Sequence, residues 1–292
     1  MLGKPQRSAR RVAHPPLTAE DFAMWQALIE QHIGVVISAQ SQGFLQMALE
    51  ERMRVLDLSD PAHYYQRLVD GSNRAFEWSQ LLANLTVQET AFFRHRPSFE
   101  AVRDYLKQRL STQGERSLML WSVGCSSGEE TYSLAITAFE ALRGSAVPFG
   151  VLGSDISEAA LAKARAGRYS AKRLNGVPNA LKQRYFAFDP AQEQFRVSKE
   201  LAAKVCFTRL NVLSLAQEPF FNLDVIFCHN LLIYFRHPRR LEILNQLASR
   251  LRMGGLLLIG SGEAPLWQHP ELTAVAGGAV QGFIRKQQRG AE

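Results

Sequence analysis

A chain of 292 residues with 46% hydrophobic content can bury a sizeable core, and its length suits one large domain beside a small one. No apolar run approaches the ~20 residues that cross a bilayer and the N-terminus lacks a secretory stretch, so a cytoplasmic protein without membrane insertion is expected. The net charge of +7 invites an acidic partner, but the basic residues are not interleaved with aromatics as on a nucleic-acid surface, and no nucleic-acid partner is expected.

Residues 1–16 hold Lys4, Arg7, Arg10 and Arg11, three prolines and no acid, and read as a disordered basic arm. A helical domain follows over 17–88. Thr18 and Asp21 resemble a capping box, and Phe22, Trp25, Leu28 and Ile29 recur after it at helical spacing. A second helix over 41–56 takes Phe44, Met47, Ala48 and Val55 as its apolar residues and sets Arg52 and Arg54 on other faces. Asp60-Pro61 starts a third helix and Ser72 opens a fourth, through Phe76, Trp78, Leu81 and Leu82.

From 89 to 292 helices alternate with strands, which implies an α/β domain with an open doubly wound sheet. The order is helix 97–111, strand 117–123, a glycine loop, helix 131–143, strand 148–154 ending at Asp155, and helix 157–166. Later come the strand LDVIFCHN, helix 238–251, the strand GGLLLIGS and a last strand near AVQGFIRK. Between about 167 and 210 the rhythm breaks into short segments around Phe186–Phe188 and Gln194–Val197, a small antiparallel β insertion. Cys125, Cys206 and Cys228 lack metal-ligand spacing, so free thiols and no metal are expected.

The stretch SLMLWSVGCSSGEETYSLAI, Ser117 to Ile136, carries an apolar strand into a glycine-bounded loop and straight into a helix. Glycines there let a backbone approach a ligand, and the helix N-terminus offers unpaired N–H groups. Glu129 and Glu130 disfavour a diphosphate and favour a cationic or hydroxyl-rich ligand. Ligands of open α/β sheets bind at strand carboxyl ends, which singles out Gly124 to Glu130, Asp155, Asn211 and Cys228-His229-Asn230. Asp155 is placed to accept ribose hydroxyls or to cap a helix, and the loop lacks the G-x-G-x-x-G spacing of a nicotinamide site.

QETAFFRHRPSF, GCSSGEETYSLAI, GSDIS and FCHNLLIYF occur in this order, and together they resemble the CheR-type chemoreceptor glutamate methyltransferases over roughly 17–287. The resemblance implies a class I methyltransferase-like sheet and S-adenosylmethionine as cofactor, with S-adenosylhomocysteine as product. It also implies methyl transfer to glutamate carboxylates of chemoreceptors, giving methyl esters in chemosensory adaptation. Its motifs place Gln88, Thr90, Arg94, Val123, Gly124, Glu129, Asp155, Asn211, Val212, His229 and Asn230 against the cofactor, with Arg94 and Tyr234 at the reacting centre.

The chain departs from the family's pattern at Gln88 for asparagine, Thr131 for proline and His229 for arginine. The last removes a permanent charge and makes cofactor affinity pH-dependent if His229 titrates. In the resembling family a basic N-domain surface, here Arg52 and Arg54, meets the acidic methylation helices of the receptor. The segment AFDPAQEQF is shorter than the glycine-rich loop of members that tether to a receptor's C-terminal pentapeptide, so no such tethering is expected, and a monomer is. Two rival readings are a regulatory module that binds cofactor without turnover and a class I methyltransferase acting on nucleic acid. The bland reading makes Phe92 and Phe93 core aromatics and His229 a structural histidine.

Overall fold

Capping residues set where the first helices begin. In the computed structural model, which describes residues 16–85, 90–112, 116–275 and 279–287, α1 (Ala19–Ile33) starts at Thr18. The Thr18 hydroxyl accepts the Asp21 N–H, the Asp21 carboxylate accepts the Thr18 N–H, and Gly34 ends the helix with φ 75°. Helix α2 (Gln42–Val55) follows, then α3 (Pro61–Val69), capped by Asp60 with proline in its first turn, and α4 (Arg74–Leu85), which begins at Arg74 rather than at Ser72. Trp25, Ile29, Tyr64, Trp78, Leu81 and Leu82 form the centre of this bundle.

Helix α2 turns a different face inward from the one expected. Leu45, Ala48, Leu49, Arg52 and Met53 are buried, while Phe44, Met47 and Val55 are exposed. The buried set follows the three-and-four spacing of one helical stripe. Arg52 can join it because Glu77 and Tyr64 satisfy its charge and donors: Arg52 Nε and Nη2 each lie 2.8 Å from a Glu77 oxygen, and the Tyr64 hydroxyl donates to Glu77 Oε1 at 2.8 Å. The expectation that Arg52 lies on a solvated docking face is therefore corrected. Arg54 is exposed and pairs with Glu51 at 2.6 Å.

The second domain runs α5 (Arg96–Thr112), β1 (Leu118–Val123), α6 (Glu129–Ala141), β2 (Phe149–Asp155), α7 (Glu158–Ala166) and β3 (Arg168–Tyr169). It continues with α8 (Asn179–Tyr185), β4 (Phe186–Asp189), β5 (Gln194–Val197), α9 (Lys199–Ala202), β6 (Val205–Arg209) and β7 (Leu223–Cys228). Last come α10 (His237–Arg250), β8 (Leu251–Ile259), β9 (Leu272–Ala274) and β10 (Gln281–Arg285). The seven-stranded sheet has the order β6-β2-β1-β7-β8-β10-β9. Neighbours from β6 to β8 are parallel, and β10 is antiparallel to both β8 and β9. Every residue of β7 is buried, as expected for a central parallel strand covered on both faces. Strand order reverses between β1 and β7, which opens a crevice beyond their carboxyl ends.

The small sheet is antiparallel in the order β3-β5-β4. Its span is shorter than the 167–210 read from sequence, because β6 pairs with β2 in the large sheet. As that sheet's edge strand, β6 is only partly covered, and VCFTR therefore reads like a surface hairpin strand. Cys125 and Cys228 are buried, Cys206 is exposed, and all three are free. Among the described residues no helix is long and apolar enough to cross a membrane.

Candidate active site

The glycine loop after β1 is bent back onto β2. Gly124 and Cys125 both donate their N–H to the Ser154 carbonyl, at 2.8 and 2.9 Å. Ser126 donates its N–H to Asp155 Oδ2 at 2.8 Å, and Asp155 Oδ1 accepts the Ser157 N–H at 2.8 Å. Gly128 holds φ 93°, and a Cβ there would lie 2.8 Å from that of Ala164, so the loop packs on α7 only with glycine at this position. Burial raises the Asp155 pKa while its backbone donors pull it down. Each carboxylate oxygen still has a lone pair for a hydroxyl.

This loop floors a cleft of about 330 Å³, within the range of about 300–1,000 Å³ common for small-molecule sites. Thr90, Arg94, Gly124, Asp155, Asn211, Val212, His229, Asn230 and Tyr234 all line it. The structure thus gathers nine of the residues singled out from sequence. The Asn211 side chain also accepts the Leu213 N–H at 3.0 Å, which sets the turn that carries Val212.

Two of the singled-out residues stand elsewhere. Val123 is fully covered inside the sheet. Glu129 does not line the cleft: it is 1% exposed, accepts the Ser127 hydroxyl at 2.7 Å and faces Arg173 at 3.6 Å. Its neighbour Glu130 lines the cleft instead, accepting the Ser122 hydroxyl at 2.7 Å. Successive helical residues point about 100° apart, so only one of two adjacent acids can face the crevice. Gln88 and residues 1–15 of the expected arm lie outside the described residues.

Electrostatics favour a cationic ligand here. Burial pushes the Glu130 pKa up to about 8, with Glu263 adding to the shift, while the Ser122 hydroxyl and Arg94 oppose it. A positive group beside Glu130 would restore its charge. His229 behaves in the opposite sense: burial pushes its pKa down to about 3, and His95 and Arg94 add to the fall. It is therefore neutral near pH 7, so the condition under which His229 would make cofactor affinity pH-dependent is not met there. Its ring stacks on Phe227 with centroids 4.2 Å apart, and its Nε2 lies 3.3 Å from Ser98 Oγ, which lies 2.8 Å from His95 Nδ1.

Three features escaped the sequence reading. Glu263, just beyond β8, binds the turn that carries Asn230 and Tyr234; an acid following a strand end, as at Asp155, was the available signal. Ser98 joins the two histidines from the first turn of α5. The helical domain supplies Ile29, Ile33, Val35 and Ile37 as an apolar wall. It is fastened there by the Val36 N–H on the Tyr234 carbonyl at 2.8 Å and by Glu30 on Arg236 at 2.5 and 2.9 Å. A cleft with one recessed acid at a strand end, another in the first turn of a helix, and apolar walls fits a ligand that carries ribose hydroxyls, a flat ring and a positive charge.

Comparison with known proteins matches that chemistry. Residues 20–86 match the family model described as CheR methyltransferase, all-alpha domain, and residues 88–280 match CheR methyltransferase, SAM binding domain. Chemotaxis protein methyltransferase 2 of Pseudomonas aeruginosa is 35% identical over 249 residues, 84% of this chain and 87% of that protein. The chemotaxis protein methyltransferase of Escherichia coli is 34% identical over 249 residues, 85% of each. A probable biofilm formation methyltransferase, WspC of Pseudomonas aeruginosa, is 32% identical over 246 residues, covering 83% of this chain but 56% of that longer protein.

Proposed function

Since the chain belongs to the CheR methyltransferase family and is a methyltransferase that uses S-adenosylmethionine, we propose that its acceptors are glutamate side chains of chemoreceptors, converted to methyl esters in chemosensory adaptation. The observation that carries this reading is the joint placement of Asp155, Glu130, Arg94 and Tyr234 on the walls of one cleft. When bound, the cofactor supplies an electrophilic methyl on a sulfonium.

The chain's own residues then hold and orient. Asp155 takes the ribose hydroxyls with its remaining lone pairs. Asn211 and Val212 border the adenine, and Glu130 replaces Glu129 as the acid beside the positive end of the ligand. A glutamate carboxylate is already ionised near pH 7, so the reaction needs no general base. What it needs is alignment of the acceptor oxygen with the methyl and exclusion of water, which is catalysis by placement. Arg94, exposed at the rim, can clamp a carboxylate through two parallel hydrogen bonds, and Tyr234 can orient an oxygen.

The same reading includes no pentapeptide tether. Supporting it, the turn between β4 and β5 is tightly pinned: Asp189 accepts the Ala191 N–H at 3.1 Å and pairs with Arg168 at 3.0 Å, and Glu193 holds φ 51°.

The test is methyl transfer from labelled S-adenosylmethionine to receptor cytoplasmic fragments. The expected product releases volatile methanol in base, Tyr234→Phe lowers the rate while retaining S-adenosylhomocysteine binding, and Arg94→Ala lowers the rate. Cofactor binding without transfer, or transfer to RNA or DNA instead, would refute the proposal.

A further inference from the structure

Arg173 ties the three-stranded insertion to the segment that carries Thr90 and Arg94 to the cleft. Arg173, in the helical turn after β3, donates from Nη1 to the Thr90 carbonyl at 2.7 Å, and the same nitrogen lies 3.6 Å from Glu129 Oε1. Burial raises the Glu129 pKa, while the Ser127 hydroxyl and then Arg173 oppose the shift. Glu129 is therefore a recessed partner for Arg173, behind the cleft lining rather than in it.

The segment from Thr90 to Arg96 is gripped from two further directions. From α6, the Ser133 hydroxyl donates to the Glu129 carbonyl at 2.6 Å and accepts the Phe93 N–H at 3.0 Å. From the insertion, the Gly176 carbonyl accepts from Arg96 at 3.2 Å, and a Cβ at Gly176 would lie 2.7 Å from the Phe92 carbonyl oxygen. Tyr169 closes the circuit by donating to the Ser127 carbonyl at 2.7 Å. Phe93 holds φ 53°, a left-handed conformation that a bulky residue keeps only when its surroundings over-determine it. That conformation sits between Thr90 and Arg94, which both line the cleft.

The geometry points to Arg173 as a positioning residue for methyl transfer: through Glu129 and the Thr90 carbonyl, the insertion fixes the backbone that presents Thr90 and Arg94. This rests on the methyl-transfer reading. It gives the insertion a task in the reaction itself, separate from any recruitment of the receptor. The Arg173 side chain is 43% exposed, and an ion pair with so exposed a partner adds little to stability, so its removal should disturb placement rather than folding.

The test compares Arg173→Ala and Arg173→Lys in the full-length protein. Misplacement of about an ångström costs on the order of 10- to 100-fold in rate. Arg173→Ala is expected to lose kcat on that scale with the thermal midpoint unchanged, and Arg173→Lys to recover most of it by donating to Thr90. Hydrogen exchange over 90–96 should quicken in Arg173→Ala alone. A kcat for Arg173→Ala within about twofold of wild type overturns the inference, as does a loss of kcat matched by equal losses of cofactor affinity and thermal midpoint. If the wild-type protein transfers no methyl to receptor, the functional reading fails, while exchange at 90–96 still decides the tether: unchanged exchange overturns it.

Discussion

The carboxylate of Glu263 accepts the backbone N–H of Asn230 at 3.1 Å. It also accepts the N–H of Gly260 at 2.8 Å and of Ile233 at 3.3 Å, so an acid beyond β8 fixes the turn beyond β7. Burial raises its pKa and these backbone donors pull it back. Glu263→Ala leaves the donors without an acceptor, at roughly 1–3 kcal/mol for each one left unmet. The expected result is a stability loss of about 3 kcal/mol in urea unfolding and weaker S-adenosylhomocysteine binding, with Glu263→Gln milder because one oxygen remains. A loss under about 1 kcal/mol for alanine would contradict the assignment.

Arg52 and Glu77 form a buried ion pair inside the helical domain. Removing one partner strands the other charge, at about 3–5 kcal/mol. Arg52→Ala should therefore shift the unfolding transition strongly, whereas Arg54→Ala leaves it in place. Arg52→Met with Glu77→Leu should recover most of the loss. If the two single variants unfold alike, Arg52 is not the buried partner.

Glu130 makes stability and binding depend on pH in a stated direction. Its ordinary pKa is 4.5 and burial pushes it up to about 8, so between these values the folded state holds a proton that the unfolded state releases. Stability then declines as pH rises through that window, by at most about 1.4 kcal/mol per pH unit. Glu130→Gln should remove the decline. Because a cationic ligand favours the ionised form, S-adenosylmethionine affinity should rise from about pH 6.5 to 8.5 in the wild type and stay flat in Glu130→Gln. Parallel calorimetric profiles for the two proteins would disprove this.

His229 acts at lower pH with the opposite sign. Its ordinary pKa is 6.5 and burial pushes it down to about 3, so the unfolded state gains a proton first and stability is lost as pH falls below 6.5. Down to about pH 5 that loss reaches about 2 kcal/mol. It partly cancels the Glu130 effect in the wild type. His229→Gln should therefore gain stability on acidification, relative to wild type, and Glu130→Gln should lose it. Thermal midpoints at pH 5 and 6.5 separate the two, and identical curves would refute both assignments.

Calorimetric titration with a receptor C-terminal pentapeptide should give no heat of binding. The pinned β4–β5 turn has no glycine to adapt to a guest strand. A complex in the micromolar range would reverse this prediction.

Much of the architecture was legible because alternation of apolar strands and amphipathic helices is a local property. So were the strand-end positions, since the sheet's crevice follows from its topology. What escaped depended on directions and distant partners. Glu129 and Glu130 are adjacent, and which one faces the cleft is fixed by how α6 lies against β1. Arg52 looked solvated because Glu77, the group that satisfies it, stands 25 residues away. β6 looked like part of the insertion because an edge strand carries the same partial burial as a surface hairpin. Whether His229 titrates was left open by sequence, because Ser98 and His95, which enclose it together with Phe227, come from a distant part of the chain.

The bond from the Val36 N–H to the Tyr234 carbonyl, beside the wall of Ile33 and Val35, bears on how such proteins can be recombined. The helical module is not an interchangeable part. A chimera that exchanges it between relatives would also exchange one wall of the cleft and the support of Tyr234, which lines it. A grafted module must therefore match its new host along this wall and at the bond between Val36 and Tyr234.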